Sequence, residues 1–481
     1  MSVTAARLGS APITLDWTHL VSGSPARRGA ADTQAWTQLK ARFDSGEIGF
    51  YKSPFTNELS QAQESQALAR EILSQGQITD CLFLGIGGSS LGPLSLLSAL
   101  KEKCTTKIRF HILENPDPTD WKSVLAELNP ETTLVCVVTK SGTTFETMAQ
   151  FLLALEWVGN GHSGTDVNSR WKSNVVAITD PVKGDLRTFA TANGIRTLSI
   201  APSIGGRFSV FTPVGLFAAA LAGLDVDAFL KGAKQVYDYI EKTPLEKNPL
   251  FTIGAELIAQ FPKRPIHVCM PYSTRLKTLG SWFVQLWGES LGKSGKGFTP
   301  LAALGATDQH SILQLLRDGP DDKVTWFITV EKVADEVKIP HLARISGQYT
   351  DKNQYPAFKI LEGHTLHELL TVEYRAISLV LSKQARPQIS IQIETLDERS
   401  MGALYFMFSV LTAVTGTLWG MNPFDQPGVE EGNVYIRDSL LKAPTYGQGR
   451  DEDENSAVAR LRRGSGEYNS FAKEHTGRDE D

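Results

Sequence analysis

Cysteine is scarce, with four in 481 residues at positions 81, 104, 136 and 269. None forms a C-x-x-C pair or a metal-like spacing, which argues against a disulfide framework and a zinc site. Sparse thiols suit a reducing compartment. Cys81 and Cys136 fall inside apolar runs, where a thiol behaves as a small buried hydrophobe. A one-sided charge is also missing. There are 48 basic and 53 acidic residues, a net charge of -5, so no basic surface for nucleic acid is expected. Residues 1–16 lack a basic start followed by an apolar stretch, so no secretory leader is expected. The apolar runs read as too short for a membrane span. The hydrophobic fraction of 41% is ordinary for a globular protein. A cytoplasmic chain follows as the expectation, and its length favours two domains with extensions.

Three familiar motifs each fail by one position. Gly85 and Gly87 would open a dinucleotide fingerprint G-x-G-x-x-G, but position 90 is Ser90. Gly292-Lys293-Ser294 would end a Walker A loop, but the required glycine is replaced by Trp287. Leu276, Leu279, Phe283 and Leu286 ahead of it have helical spacing, whereas a P-loop follows a strand. His367-Glu368 would begin a zinc helix H-E-x-x-H, but the closing position is Thr371. No nucleotide cofactor and no metal are therefore expected.

What is present is an alternation of strands and helices. Residues 1–55 read as an N-terminal arm with a helix over 33–44. Strands are expected at 81–85, 108–113, 134–138, 175–178 and 197–200, with helices between them, including 61–74 and 145–158. A second α/β unit begins near residue 225, with strands at 266–270, 324–330 and 389–393. Its helices are expected at 251–260, 276–289, 365–382 and 401–418. Such alternation implies parallel sheets covered on both faces, with ligands beyond the carboxyl ends of the strands. From residue 444 the apolar periodicity is lost and a charged, flexible tail is expected.

Two strands end in small, hydroxyl-rich loops. The first is Gly85-Ile86-Gly87-Gly88-Ser89-Ser90, and the second is Thr139-Lys140-Ser141-Gly142-Thr143-Thr144. Uncovered backbone N–H groups before a helix start suit an anion. The hydroxyls and Lys140 add hydrogen bonds and a point charge. A plain tight turn explains either loop alone, but explains two in one domain less well, and a bound phosphate is the sharper reading. Glu289 ends a helical run in a glycine-rich bend, a place for a general base, although an exposed helix-end glutamate is the bland alternative. Arg207 follows two glycines and suits an oxyanion. His310 can act as acid or base near neutral pH.

These segments, together with Leu91-Gly92-Pro93, Gly205-Gly206-Arg207-Phe208-Ser209, Gln309-His310 and Asn422-Pro423-Phe424-Asp425-Gln426-Pro427-Gly428-Val429-Glu430, resemble the glucose-6-phosphate isomerase family in content and order. The resemblance implies two flavodoxin-like sugar-isomerase (SIS) domains at 56–222 and 223–400. C-terminal helices at 401–443 would complete the site, and the tail at 444–481 lies beyond it. It implies interconversion of glucose 6-phosphate and fructose 6-phosphate through a cis-enediol, without a cofactor. Gly88, Ser89, Thr139, Lys140, Ser141 and Thr144 would hold the phosphate. Glu289 would move the proton, Arg207 would stabilise the developing charge, and His310 would assist ring opening from a neighbouring subunit of a homodimer with shared sites. Gln285 and Gln426 would contact sugar hydroxyls or position Glu289. One position departs from the family pattern, with Asn433 standing where the family carries lysine. Arg437, one helical turn on, is a candidate substitute. The alternative that Asn433 raises is a catalytically weakened sugar-phosphate binder, acting as a sensor or interaction partner.

Overall fold

The computed structural model describes residues 4–20, 29–55, 59–160, 167–345 and 355–442. The charged tail expected from residue 444 lies outside them. Near the N-terminus, β1 (Ala5–Arg7) and β2 (Ile13–Asp16) form an antiparallel pair. A five-stranded parallel sheet then contains β3 (Asp80–Leu84), β4 (Arg109–Leu113), β5 (Thr133–Val138), β6 (Val175–Thr179) and β7 (Arg196–Ser199). Its spatial order is β4-β3-β5-β6-β7. By position in the chain this is 2-1-3-4-5, the flavodoxin-like order, with its topological switch point between β3 and β5.

The central strands of this sheet are buried along their whole length, as expected where helices cover both faces. Their side chains alternate between two cores. Leu82, Leu84, Val135 and Val137 face Phe151 and Leu155, while Cys81, Phe83, Leu134 and Cys136 join the larger core. This is the period-2 pattern of a strand used on both sides.

The second sheet holds β8 (Ile266–Pro271), β9 (Thr299–Ala302), β10 (Lys323–Lys332) and β11 (Gln388–Thr395), all parallel. Its order is β1-β2-β11-β10-β8-β9. The four parallel strands repeat the 2-1-3-4 order of the first sheet. β1 and β2 are added at the edge, with β2 antiparallel to β11. Residues 5–16 thus extend the second sheet, and the sheet is mixed at that edge.

The inner faces of both sheets share one core with the helix Glu398–Leu418, buried from Ser400 to Gly416. Each fully buried large apolar side chain contributes about 1.5–3 kcal/mol. This helix corrects the expectation that no apolar run reaches membrane-span length. By length and composition it qualifies, yet 89% of its most apolar window is buried inside the protein. The helix Pro427–Lys442 belongs to a separate C-terminal unit that begins at Gln426.

His267 on β8 is wholly buried. Its Nδ1 accepts a hydrogen bond from Trp287 Nε1 at 3.0 Å, and its ring stacks on Phe298 with centroids 4.1 Å apart. Burial alone pulls its pKa down to about 3. The folded state therefore holds it neutral, while the unfolded chain titrates near about 6.5. The resulting stability is present above the unfolded value and is lost as pH falls toward the folded one, by about 2 kcal/mol at about pH 5. In urea melts at about pH 7.5 and about pH 5, His267→Phe is expected to shrink the difference between the two stabilities by about that amount. An unchanged difference would place the acid sensitivity elsewhere.

Candidate active site

The all-buried β3 stops at Gly85, and the chain turns through Gly87–Ser89 into the helix Leu91–Ala99. Gly87 has φ +59°, a conformation that L side chains rarely adopt. A Cβ there would also stand 2.9 Å from Gln285 Nε2. At Gly88 a Cβ would stand 2.2 Å from the Gly206 carbonyl carbon and 2.6 Å from Arg207 N. Two glycines thus let two backbones touch, and Ser209 Oγ donates to Gly88 O at 3.1 Å across the same contact. Gly88→Ala is expected to wedge the two loops apart, with a stability cost of about 1–3 kcal/mol and a fall in kcat/KM of about 100-fold. Thermal melts and initial rates on the sugar phosphate that the family resemblance implies check both.

Ser90 is fully buried and donates to Gly87 O at 3.1 Å. Its hydroxyl also reaches Glu114 Oε1. The residue that broke the dinucleotide spacing thus ties down the turn. Ser89 is half-buried, and its hydroxyl has no hydrogen-bond partner among the described residues.

The second loop follows β5, the neighbour of β3 across the switch point. Thr139 is buried, and its hydroxyl lies 2.8 Å from Thr144 Oγ1 and 3.4 Å from Ser141 Oγ. Gly142, with φ +70°, packs on Gly184 and lets the loop turn back. Lys140 Nζ donates to Pro202 O at 2.7 Å, and burial lowers its pKa. The structure therefore gathers the expected hydroxyls at the carboxyl end of β5, with the lysine laid against a loop carbonyl.

Arg207 lies on a 3₁₀ turn, Gly206–Phe211, and is buried. Its guanidinium is held from two sides. Nε donates to Ser290 Oγ at 2.7 Å and Nη1 to Glu289 Oε1 at 3.0 Å. Nη2 donates to the carbonyls of Pro423 at 2.6 Å and Asp425 at 3.0 Å. Burial lowers its pKa, and the Glu289 and Asp425 carboxylates oppose that. Glu289 sits in the last turn of the helix Lys277–Leu291, with its side chain 25% exposed. Its other oxygen accepts from Gln285 Nε2 at 3.1 Å, one turn earlier. A partly open carboxylate beside a buried guanidinium can take a proton from a bound carbon acid while the cation faces the charge that forms. A Cβ at Gly87 would crowd Gln285 and one at Gly88 would crowd Arg207, so the glycine turn lies against the hydrogen-bonded chain Gln285–Glu289–Arg207.

The sequence of the chain matches the phosphoglucose isomerase family over residues 61–458. The chain belongs to that family. The glucose-6-phosphate isomerase of Rubrobacter xylanophilus is 39% identical over 434 residues, 88% of this chain and 96% of that protein. The enzyme of the same name from Thermus thermophilus is 38% identical over 76% of this chain and 84% of its own length. Among solved structures, a hypothetical protein from Thermus thermophilus superposes with a TM-score of 0.76 at 34% identity, over 85% of this chain and 94% of that one. A glucose-6-phosphate isomerase from Chlamydia trachomatis shares the fold with a TM-score of 0.73 at 21% identity, over 96% and 93% of the two chains.

Phosphoglucose isomerase motifs thus converge here from distant parts of the chain, with some exceptions. His310 is exposed in the first turn of the helix Gln309–Asp318 and makes no hydrogen bond with the Arg207–Glu289 pair. In the C-terminal unit, Asn433 and Arg437 are exposed one turn apart on the helix Pro427–Lys442. Arg437 pairs with the adjacent Asp438 at 3.4 Å. Gln426 opens that unit. The His364–Glu368 segment is a helix start. Thr365 Oγ1 accepts from Glu368 N at 3.1 Å, and Glu368 Oε2 accepts from Thr365 N at 2.8 Å. Among the described residues no three His, Cys, Asp or Glu side chains gather as a metal site. Sequence reasoning gave no role to Ser290, Lys293, Asn422 or Asp425. Lys293, Asn422 and Asp425 stood inside quoted motifs, so those motifs were the available signal, and Ser290 directly follows Glu289.

Proposed function

We propose that the chain interconverts glucose 6-phosphate and fructose 6-phosphate by proton transfer between C2 and C1. The observation that carries this reading is the Glu289 carboxylate hydrogen-bonded to the buried Arg207 guanidinium, in contact with a glycine turn at the sheet's switch point. The relatives' names agree with it. Ser89, Thr139, Lys140, Ser141 and Thr144 hold the phosphate, with Gly88 giving close backbone approach. Phosphate contacts remote from the reacting carbons supply binding energy that orients them. Glu289 takes the proton from the carbon next to the carbonyl. The electron pair moves onto the carbonyl oxygen, giving an enediolate opposite Arg207. The hydroxyl proton on the neighbouring carbon's oxygen passes to the enediolate oxygen, Glu289 returns its own proton to the former carbonyl carbon, and the deprotonated oxygen becomes the new carbonyl. The proton and electron pair are both conserved, so no redox partner enters. Gln285 holds Glu289 through its Nε2 hydrogen bond or contacts a sugar hydroxyl.

His310 acts in ring opening from the second subunit of a cytoplasmic homodimer with shared sites. The SIS domains are assigned to 56–222 and 223–400, with 1–55 as an N-terminal arm. Arg207 and Glu289 are in contact, and nothing in the arrangement favours a catalytically silent binder.

Turnover of fructose 6-phosphate, coupled to oxidation of the aldose phosphate by a dehydrogenase, tests the reading, and a chain without turnover would refute it. Asn433 carries no charge and is a poor acid, so ring opening is the step it slows. Asn433→Lys is expected to raise kcat on fructose 6-phosphate. Wild-type turnover equal to or faster than that of the variant would show that the lysine is dispensable here.

A further inference from the structure

Two carbonyls of the turn at Asn422–Asp425 accept from Arg207, and that turn is shaped by a residue outside the motif roles above. Lys293 lies just past the helix that carries Glu289. Its ammonium donates to Asp425 Oδ1 at 2.7 Å, to Asp425 O at 2.6 Å and to Asn422 O. All three ammonium protons are thereby used on one turn. Asp425 completes the knot, because its Oδ2 accepts from Asn422 Nδ2 at 2.7 Å. The Lys293 side chain is only 12% exposed. Burial lowers its pKa, and Asp425 opposes that. The same Asp425 carbonyl accepts both from Lys293 and from Arg207 Nη2.

We infer that Lys293 and Asp425 are positioning residues. Their ion pair fixes the Pro423 and Asp425 carbonyls that hold the Arg207 guanidinium, and so sets where Arg207 stands relative to Glu289. The inference rests on the isomerase reading above. It locates the device where an ion pair ties the end of the helix bearing the base to the turn bearing the carbonyls. A shift of about 1 Å in a group facing the transition state costs about 100-fold, whereas the phosphate loops at Ser89 and Lys140 are on other elements.

The test compares wild type, Lys293→Met, Lys293→Arg and Asp425→Asn. Turnover is read on fructose 6-phosphate. Binding is read by titration with glucitol 6-phosphate, a phosphorylated polyol with no carbonyl to react. Lys293→Met is expected to lower kcat about 10- to 100-fold, with KM and polyol affinity within about twofold of wild type. Lys293→Arg, which keeps the charge, recovers most of that loss. If Lys293→Met does not fold, the isosteric Asp425→Asn carries the same pattern. The inference is overturned if the folded variants keep kcat within about twofold of wild type, or if polyol affinity falls as far as kcat does, which marks general loosening. Absence of turnover in the wild type instead refutes the isomerase reading, and the inference falls with it.

Discussion

Glu289→Gln is expected to lower kcat on fructose 6-phosphate about 10³-fold while leaving the melting temperature within a few degrees of wild type. The magnitude follows from removing the proposed general base. The preserved fold follows from shape, since a glutamine oxygen can still accept from Arg207 Nη1 where Glu289 Oε1 does at 3.0 Å. The carboxylate is 25% exposed on its side-chain surface, open enough to meet a substrate carbon. KM is expected to change little, because the loops proposed to hold the phosphate follow β3 and β5. Retention of more than about a tenth of wild-type kcat would exclude Glu289 as the base.

Arg207→Met carries the second large effect, on both stability and rate. The guanidinium is buried and satisfies Ser290 Oγ, Glu289 Oε1 and two backbone carbonyls. Its removal leaves those acceptors facing an apolar chain. Breaking such a pair costs about 3–5 kcal/mol, and losing the charge proposed to face the enediolate is expected to cost about 10²–10³ in kcat. Urea denaturation and initial rates measure the two separately. Arg207→Lys is expected to recover little of either, because a compact ammonium cannot span acceptors arranged for a planar fork. Full activity in the lysine variant would show that only charge is required.

Much of the architecture was legible because burial leaves marks in sequence. β3, β5 and β6 are enclosed on both faces and read as short apolar runs. The two hydroxyl loops were legible for a local reason, since each gathers its glycines and hydroxyls within about six residues of a strand end. The strands that escaped notice are short or exposed. β1 is three residues, and β9 contains Pro300 with little burial. The Arg207–Glu289 contact joins positions 82 residues apart, and Lys293 meets Asp425 across 132. No periodicity encodes such pairs, because they form only once the helix Lys277–Leu291 has packed. The family resemblance drew Arg207 and Glu289 together in function, and the fold supplied the contact.

The buried helix Glu398–Leu418 has a consequence for how the chain is made. Its principal packing partners are the helices Ala30–Asp44, Val226–Lys242, Pro249–Gln260 and Lys277–Leu291. All of them precede it. During synthesis from the N-terminus, earlier segments leave the ribosome first and can fold as units. The most apolar helix therefore emerges onto surfaces already built to receive it, and its residence in water as a bare hydrophobic rod is brief. A circular permutant that moved this helix to the front would fold to the same contacts but expose the rod before its partners exist, and aggregation during translation is the expected cost.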